Sequence, residues 1–169
     1  MGDVFRVVAG GLLALISSYI GLLIKRGYAQ KVDFFKGMAE FLREFRNEIT
    51  LMKTPLTEFV PRYVEGRKGQ AVDLIKEYVT ELNSKGKFER DVEKWDYAHM
   101  SRVEKEEVLH LFQSLGKSDL NEQKVIVDNF EKAIQNRQNI AEENLKKKGA
   151  TYFKLLVLLG IAIMVVAPA

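Results

Sequence analysis

Two histidines are the residues of this sequence whose spacing comes nearest to a metal-binding pattern. His99 follows Asp96 by three residues, and His110 follows Glu107 at the same interval. Two such carboxylate-x-x-His pairs on separate helices, together with two further glutamates that face inward, form the di-iron centres of helical bundles. The surroundings of both histidines are unremarkable, so we expect each to be hydrogen-bonded or solvated. A membrane-anchored metalloprotein that uses His99 and His110 is kept as an alternative.

Other kinds of catalytic chemistry find little support in the residue types. The absence of cysteine excludes disulfide frameworks, thiolate zinc sites, iron-sulfur clusters and cysteine nucleophiles. The glycine-containing stretches at 66–69 and 85–87 lack both the spacing of a phosphate loop and a preceding strand. No serine lies in a recognisable nucleophile elbow. The sequence therefore predicts a protein that is not an enzyme, with no catalytic residue, no cofactor and no metal.

Two apolar segments near the ends of the chain predict membrane helices. Residues 7–24 carry no charge and as a helix would reach about 27 Å, close to the hydrocarbon thickness of a bilayer. Residues 150–167 contain one charge, Lys154, near their start, where a long side chain can extend to the headgroups. The alternatives are a cleaved signal peptide for the first segment and a helix packed within the soluble domain for the second.

The distribution of charge indicates a membrane protein and not a nucleic-acid-binding one. Residues 25–31 and 146–154 hold seven of the 26 Lys and Arg and no acidic residue, leaving 19 basic against 23 acidic side chains elsewhere. Basic residues beside apolar segments are typical of membrane flanks that face anionic lipid. Both flanks lie toward the middle of the chain, so we expect residues 25–149 to be cytoplasmic and both termini to lie on the opposite side.

Apolar spacing predicts that residues 25–149 fold as an all-α, antiparallel helical bundle. Thr54 is predicted to cap a short helix over 56–64 with Pro55 in its first position, and further helices are expected over 70–82 and 88–98. Ser101 and Glu104 have the spacing of a capping box, and Asp119 with Glu122 indicates the start of a last helix that continues to Gly149. The first long helix is predicted to bury Phe34, Met38, Phe41, Phe45, Ile49 and Met52.

Two short motifs resemble the stage III sporulation protein AB family of endospore-forming bacteria. The first is Glu48-Ile49 followed by Thr54-Pro55-Leu56, and the second is the segment 115–123, which reads LGKSDLNEQ. The resemblance covers essentially the whole chain. The sequence departs from it at Leu51, where the resemblance implies an aromatic residue, and over residues 66–100. The residues that match its motifs are Glu48, Thr54, Pro55, Leu56, Gly116, Asp119 and Gln123.

The resemblance implies a fold and a function. The family is similar to a single copy of the cytoplasmic helical domain in the platform protein of type II secretion and type IV pilus systems. The chain would then be a noncatalytic platform in the channel complex between mother cell and forespore. It would reside in the mother cell membrane around the forespore.

The expected partners are a secretion-type ATPase resembling stage III sporulation protein AA, other membrane subunits of the complex, and lipid. Homo-oligomerisation is left open. Glu48, Asp119 and Gln123 are a hypothetical partner-binding patch. The second alternative is an unrelated membrane adaptor that spans the bilayer and does not depend on such an ATPase.

Overall fold

The computed structural model describes the backbone of residues 2–115 and 120–166, and their side chains except those of 2–7, 9, 10, 13, 14, 120 and 163–166. The described residues form helices and no strand, which confirms the all-α prediction. The helices are α1 (Gly2–Asn47), α2 (Leu56–Val64), α3 (Gln70–Lys85), α4 (Arg102–Ser114), α5 (Leu120–Asn144) and α6 (Ala150–Val166). Two π-helical turns, Glu48–Met52 and Leu145–Gly149, follow α1 and α5.

The chain divides into two compact units. Lys31–Asn139 form one, here called the bundle unit, and Met1–Gln30 with Ile140–Ala169 form the other, called the hairpin unit. Among the described residues, no helix combines the length and apolar character that crossing a membrane requires. The predicted membrane spans over 7–24 and 150–167 are not supported by this finding and stay predictions.

Aromatic side chains form the core of the bundle unit. The rings of Phe41 and Phe45 on α1 lie 5.9 and 5.3 Å from that of Phe59 on α2. Phe41 also contacts Tyr63, with ring centroids 5.2 Å apart. Five of the six residues predicted for the buried face of α1 are at most 4% exposed, and the exception is Met52 at 69%. The three-four spacing therefore predicted the core correctly as far as Ile49. It failed at Met52, where the π-helical turn has shifted the phase of the helix.

Salt bridges in the bundle unit join the C-terminal part of α1 to the first half of α5. Arg43 lies 3.7 Å from Glu131, and Arg46 lies 3.5 Å from Asp128. Later residues of α1 thus pair with earlier residues of α5. The two helices are antiparallel within this unit, as the sequence predicted.

The helix predicted over 88–98 is wrong. Only Val92–Lys94 form a short 3-10 turn, which Asp91 caps through the amide of Glu93. Ala98 and His99 have φ values of 51° and 49°, which no regular helix of L-residues contains. Three of the four apolar residues with helical spacing are buried all the same, because the loop places them against α3 and α4. The fourth, Val92, is only half-buried. The three buried side chains are Phe88, Trp95 and Ala98.

The capping box that opens α4 is confirmed. Ser101 Oγ accepts a hydrogen bond from the Glu104 amide, and Glu104 Oε2 accepts one from the Ser101 amide at 2.7 Å. Lys31 on α1 donates a further hydrogen bond to the same Glu104 oxygen at 2.9 Å. Glu104 is therefore 9% exposed and joins the start of α4 to α1.

The Glu104 carboxylate should make the stability of the bundle unit depend on pH. Burial raises the pKa of Glu104, but hydrogen bonds from Lys31 and Ser101 outweigh it and lower the pKa below its ordinary value of 4.5. Because the folded-state pKa is the lower one, ionised Glu104 stabilises the fold above the unfolded pKa. This contribution is lost as the pH falls through the folded pKa.

We expect the free energy of unfolding to fall more between about pH 6 and pH 3 in the natural protein than in Glu104→Gln. Trp95, the one tryptophan of the sequence, is 3% exposed, so its fluorescence during urea unfolding reports on this unit. Equal losses in both proteins would contradict the prediction.

Within the hairpin unit, the two segments of the chain come into close contact at two glycines. A Cβ added at Gly21 on α1 would lie 3.2 Å from the Cα of Phe153, and one at Gly149 would lie 3.4 Å from the ring of Tyr28. The order of these contacts shows that α1 and α6 are antiparallel here and pair within one chain. Among the side chains of this unit that the structure describes, twelve large apolar or aromatic ones are at least 43% exposed, namely Val8, Leu12, Leu15, Ile16, Tyr19, Ile20, Leu23, Tyr152, Leu155, Leu158, Leu159 and Ile161.

Candidate functional site

The corner between α1 and α2 carries most of the residues that the sequence singled out. After the π-helical turn, Lys53 adopts a left-handed conformation with φ 55° and its amide donates to the carbonyl of Glu48. Pro55 then precedes α2 with an extended backbone, and its carbonyl accepts from the amides of Glu58 and Phe59 at 3.1 Å. The bounds predicted for this helix are confirmed. The cap is wrong by one residue, because Pro55 and not Thr54 occupies the capping position, and no side chain caps the helix.

Two neighbouring large apolar side chains are exposed at this corner. Leu51 is 78% and Met52 is 69% exposed, whereas Ile49 in the same turn is 4% exposed. The extra residue in a π-helical turn explains the contrast, since it rotates the side chains that follow away from the buried face.

Leu51 lies between two shallow pockets. The pockets share Leu51 and Asn47, so they form one continuous surface, here called the corner surface. The first is lined by Glu44, Asn47, Glu48, Leu51, Met52 and Phe59. The second is lined by Arg46, Asn47, Thr50, Leu51, Lys124 and Asp128.

Three acidic residues of the corner surface are paired within the chain. Glu48 lies 3.3 Å from Arg62, and Glu44 forms a two-pronged ion pair with Arg67 at 2.9 and 3.0 Å. Asp128 lies 3.5 Å from Arg46. These charges therefore largely neutralise one another. The apolar pair Leu51 and Met52 remains as the group that a partner can bury.

Tyr63 on α2 contacts α1 beneath the corner surface. Its hydroxyl donates to the carbonyl of Gly37 at 3.4 Å, and the guanidinium of Arg67 lies 4.1 Å from its ring centroid. Burial raises the pKa of Tyr63, so the ring stays neutral. The contacts hold α2 against α1.

The structure brings four of the seven predicted site residues together. Glu48, Thr54, Pro55 and Leu56 lie at the corner, where Leu56 is 3% exposed and Pro55 is exposed. Gln123 is on α5 and 4% exposed, and among the described residues its amide nitrogen finds no hydrogen-bond partner. Gly116 and Asp119 lie outside the described residues.

Sequence reasoning missed the exposure of Leu51 and Met52. Helical spacing assigned Met52 to the core, and Leu51 stood out only as a departure from the family resemblance. That assignment takes the α-helical spacing as unbroken, and no residue type in the segment indicates a π-helical turn. The available signal was the resemblance itself, which implies a large aromatic residue at position 51.

The two histidines do not assemble a metal centre in the part of the chain that the structure describes. Glu107 is held by a hydrogen-bonded ion pair with Arg137. His110 packs against Phe130, with ring centroids 5.6 Å apart, and His99 is exposed in the loop before α4. No three His, Cys, Asp or Glu side chains among the described residues are arranged to hold a metal ion.

Comparison with known proteins identifies the family. No curated protein and no solved structure matches the chain. The family model described as stage III sporulation protein AB matches residues 6–167. This range includes the corner surface, the whole bundle unit and most of the hairpin unit. Because the match covers nearly the whole sequence, the chain belongs to the stage III sporulation protein AB family and has a role in sporulation.

Proposed function

We propose that this protein is a noncatalytic platform of the channel complex between mother cell and forespore, and that it docks a cytosolic secretion-type ATPase. The observation that carries the proposal is the exposed apolar pair Leu51 and Met52 at the corner between α1 and α2. Membership of a sporulation family supports the biological setting. The ATPase and the other membrane subunits of the complex follow from the resemblance to platform proteins.

The hairpin unit is the proposed membrane anchor. Its exposed apolar side chains cover both helices along the segments predicted to span the bilayer. In water such a surface would be strongly unfavourable, whereas lipid chains remove the cost. In this proposal the bundle unit lies in the mother cell cytoplasm, and both termini lie across the membrane.

The corner surface is the proposed docking site for the ATPase. Exposed apolar side chains in a shallow pocket with a polar rim are typical of the centre of a protein interface. The motif residues Glu48, Thr54 and Pro55 flank Leu51 and Met52 in the sequence. Because Glu44, Glu48 and Asp128 are already paired within the chain, burial of Leu51 and Met52 supplies most of the contact energy.

Site-specific photocrosslinking in sporulating cells tests the proposal. A photoreactive phenylalanine analogue at position 51 is expected to crosslink to the sporulation ATPase. The matched control is the same analogue at Val103, which is 57% exposed on α4 and is expected not to do so. Each version of the chain is recovered by an affinity tag in mild detergent.

The outcomes separate the two parts of the proposal. An ATPase that is recovered with the chain but never crosslinks to position 51 would contradict the docking site and leave the platform role. Recovery of neither the ATPase nor any other subunit of the complex would contradict the platform role itself.

A further inference from the structure

The pairing of α1 with α6 brings two basic segments, distant in sequence, to the same level of the hairpin unit. Tyr28 packs against Gly149, and Phe153 packs against Gly21. The ammonium of Lys25 lies 5.8 Å from the ring centroid of Phe153. The basic residues that follow the apolar segment of α1 therefore lie beside the basic residues that precede the apolar segment of α6.

Six cationic side chains form this basic band. At about 1.5 Å per residue they lie within about 12 Å of one another along the helix axes. Residues 25–30 and 144–154 contribute no acidic side chain to it. The members are Lys25, Arg26, Lys146, Lys147, Lys148 and Lys154.

Lys147 is the one member of the basic band that has a counterion within the described part of the chain. Lys147 is held by Glu143 on the preceding turn, and Lys25 faces an aromatic ring. Arg26, Lys146 and Lys148 are exposed and form no ion pair within the described part of the chain. These three cations are available to an external anion.

The basic band borders an apolar surface on the side of the predicted membrane segments. On that side of the band, Leu23 and Ile20 of α1 are 46% and 43% exposed. Leu155 of α6 is 55% exposed. Tyr152 lies within the band and is 48% exposed. A tyrosine among basic residues at the edge of an apolar helix pair is the arrangement found at the headgroup level of a bilayer.

We propose that the basic band is a binding site for the phosphate groups of anionic phospholipids, of the phosphatidylglycerol class. The inference rests on the membrane anchoring proposed above. Arg26, Lys146 and Lys148 supply the charge, and the neighbouring apolar side chains contact the acyl chains. A soluble phosphate would gain only the first of these interactions, so the site selects a lipid. It also favours the anionic over the zwitterionic headgroup.

Lipid binding to the full chain in dodecyl maltoside tests the site. Dioleoylphosphatidylglycerol or dioleoylphosphatidylcholine is titrated in, and bound lipid is counted by native mass spectrometry. We expect the phosphatidylglycerol to bind at least about tenfold more tightly. One basic side chain near an anionic surface accounts for about fivefold in affinity. The double variant Lys146→Gln/Lys148→Gln removes two such side chains and should therefore lose about 25-fold in affinity. Added salt should weaken binding to the natural protein.

The matched control is Lys36→Gln/Lys76→Gln. It removes the same charge from exposed helical lysines of the bundle unit that form no ion pair within the described residues, and it should bind lipid as the natural protein does. Equal binding of the two lipids, or unchanged affinity in the band variant, would overturn the inference. Displacement of the lipid by equimolar glycerol 3-phosphate would overturn the assignment to a lipid.

Membrane anchoring is measured separately, by whether the natural protein stays in the membrane fraction after an alkaline wash. Loss from the membrane would refute the anchoring and the inference with it. Retention together with unchanged lipid affinity in the band variant would refute the lipid site alone.

Discussion

Replacing Leu51 with arginine should lower the amount of ATPase recovered with the chain by at least about tenfold, the effect of losing one central apolar contact of an interface. Leu51 is 78% exposed and lines both pockets of the corner surface. A guanidinium there would have to be desolvated against an apolar partner. The fold should be unaffected, since exposed substitutions usually change the free energy of unfolding by less than about 0.5 kcal/mol.

Val103→Arg is the control for this experiment. It makes the same kind of change at an apolar side chain that is 57% exposed on α4, and recovery of the ATPase should be as in the natural protein. Reduced recovery with both variants would point to a general effect of added charge. Normal recovery with Leu51→Arg would remove the corner surface as the docking site.

Glu48→Lys tests how much the charged residues of the corner surface contribute to docking. The substitution breaks the pair between Glu48 and Arg62 and leaves Leu51 and Met52 in place. If the apolar pair dominates the contact, recovery of the ATPase should fall by less than with Leu51→Arg. A larger loss would favour the hypothetical patch of charged and polar residues over the apolar contact.

Phe41→Ala should lower the free energy of unfolding by about 3–5 kcal/mol, the usual cost of removing a buried aromatic side chain. Phe41 is fully buried, and its ring contacts those of Phe45, Phe59 and Tyr63. The loss follows from the apolar area no longer buried and from the cavity left between α1 and α2. Such a loss is a large part of the stability of an ordinary domain.

Urea unfolding followed by Trp95 fluorescence measures this loss in the full chain in detergent. Leu51→Ala is the control, because it also removes a large apolar side chain but from an exposed position, and its free energy of unfolding should stay close to that of the natural protein. A loss below about 1 kcal/mol for Phe41→Ala would show that neighbouring side chains refill the space.

The family resemblance and the local signals carried most of what the sequence could predict about the site. Glu48, Thr54, Pro55 and Leu56 do lie at one corner, because they are close in sequence around a helix break. Gln123 is buried on another helix. Whether these residues contact a partner depends on an assembly, which the properties of a single chain do not encode locally.

The amino-acid sequence alone determined those helix ends and helix faces that depend on residues close together along the chain. The capping box at Ser101 and Glu104, the bounds of α2 and the buried stripe from Phe34 to Ile49 all follow from interactions within a few residues. The tertiary structure decided the rest. The spacing of Phe88, Trp95 and Ala98 suits a helix, but contacts with α3 and α4 bury them from a loop. Leu51 and Met52 are exposed because the π-helical turn that follows α1 changes the helical phase.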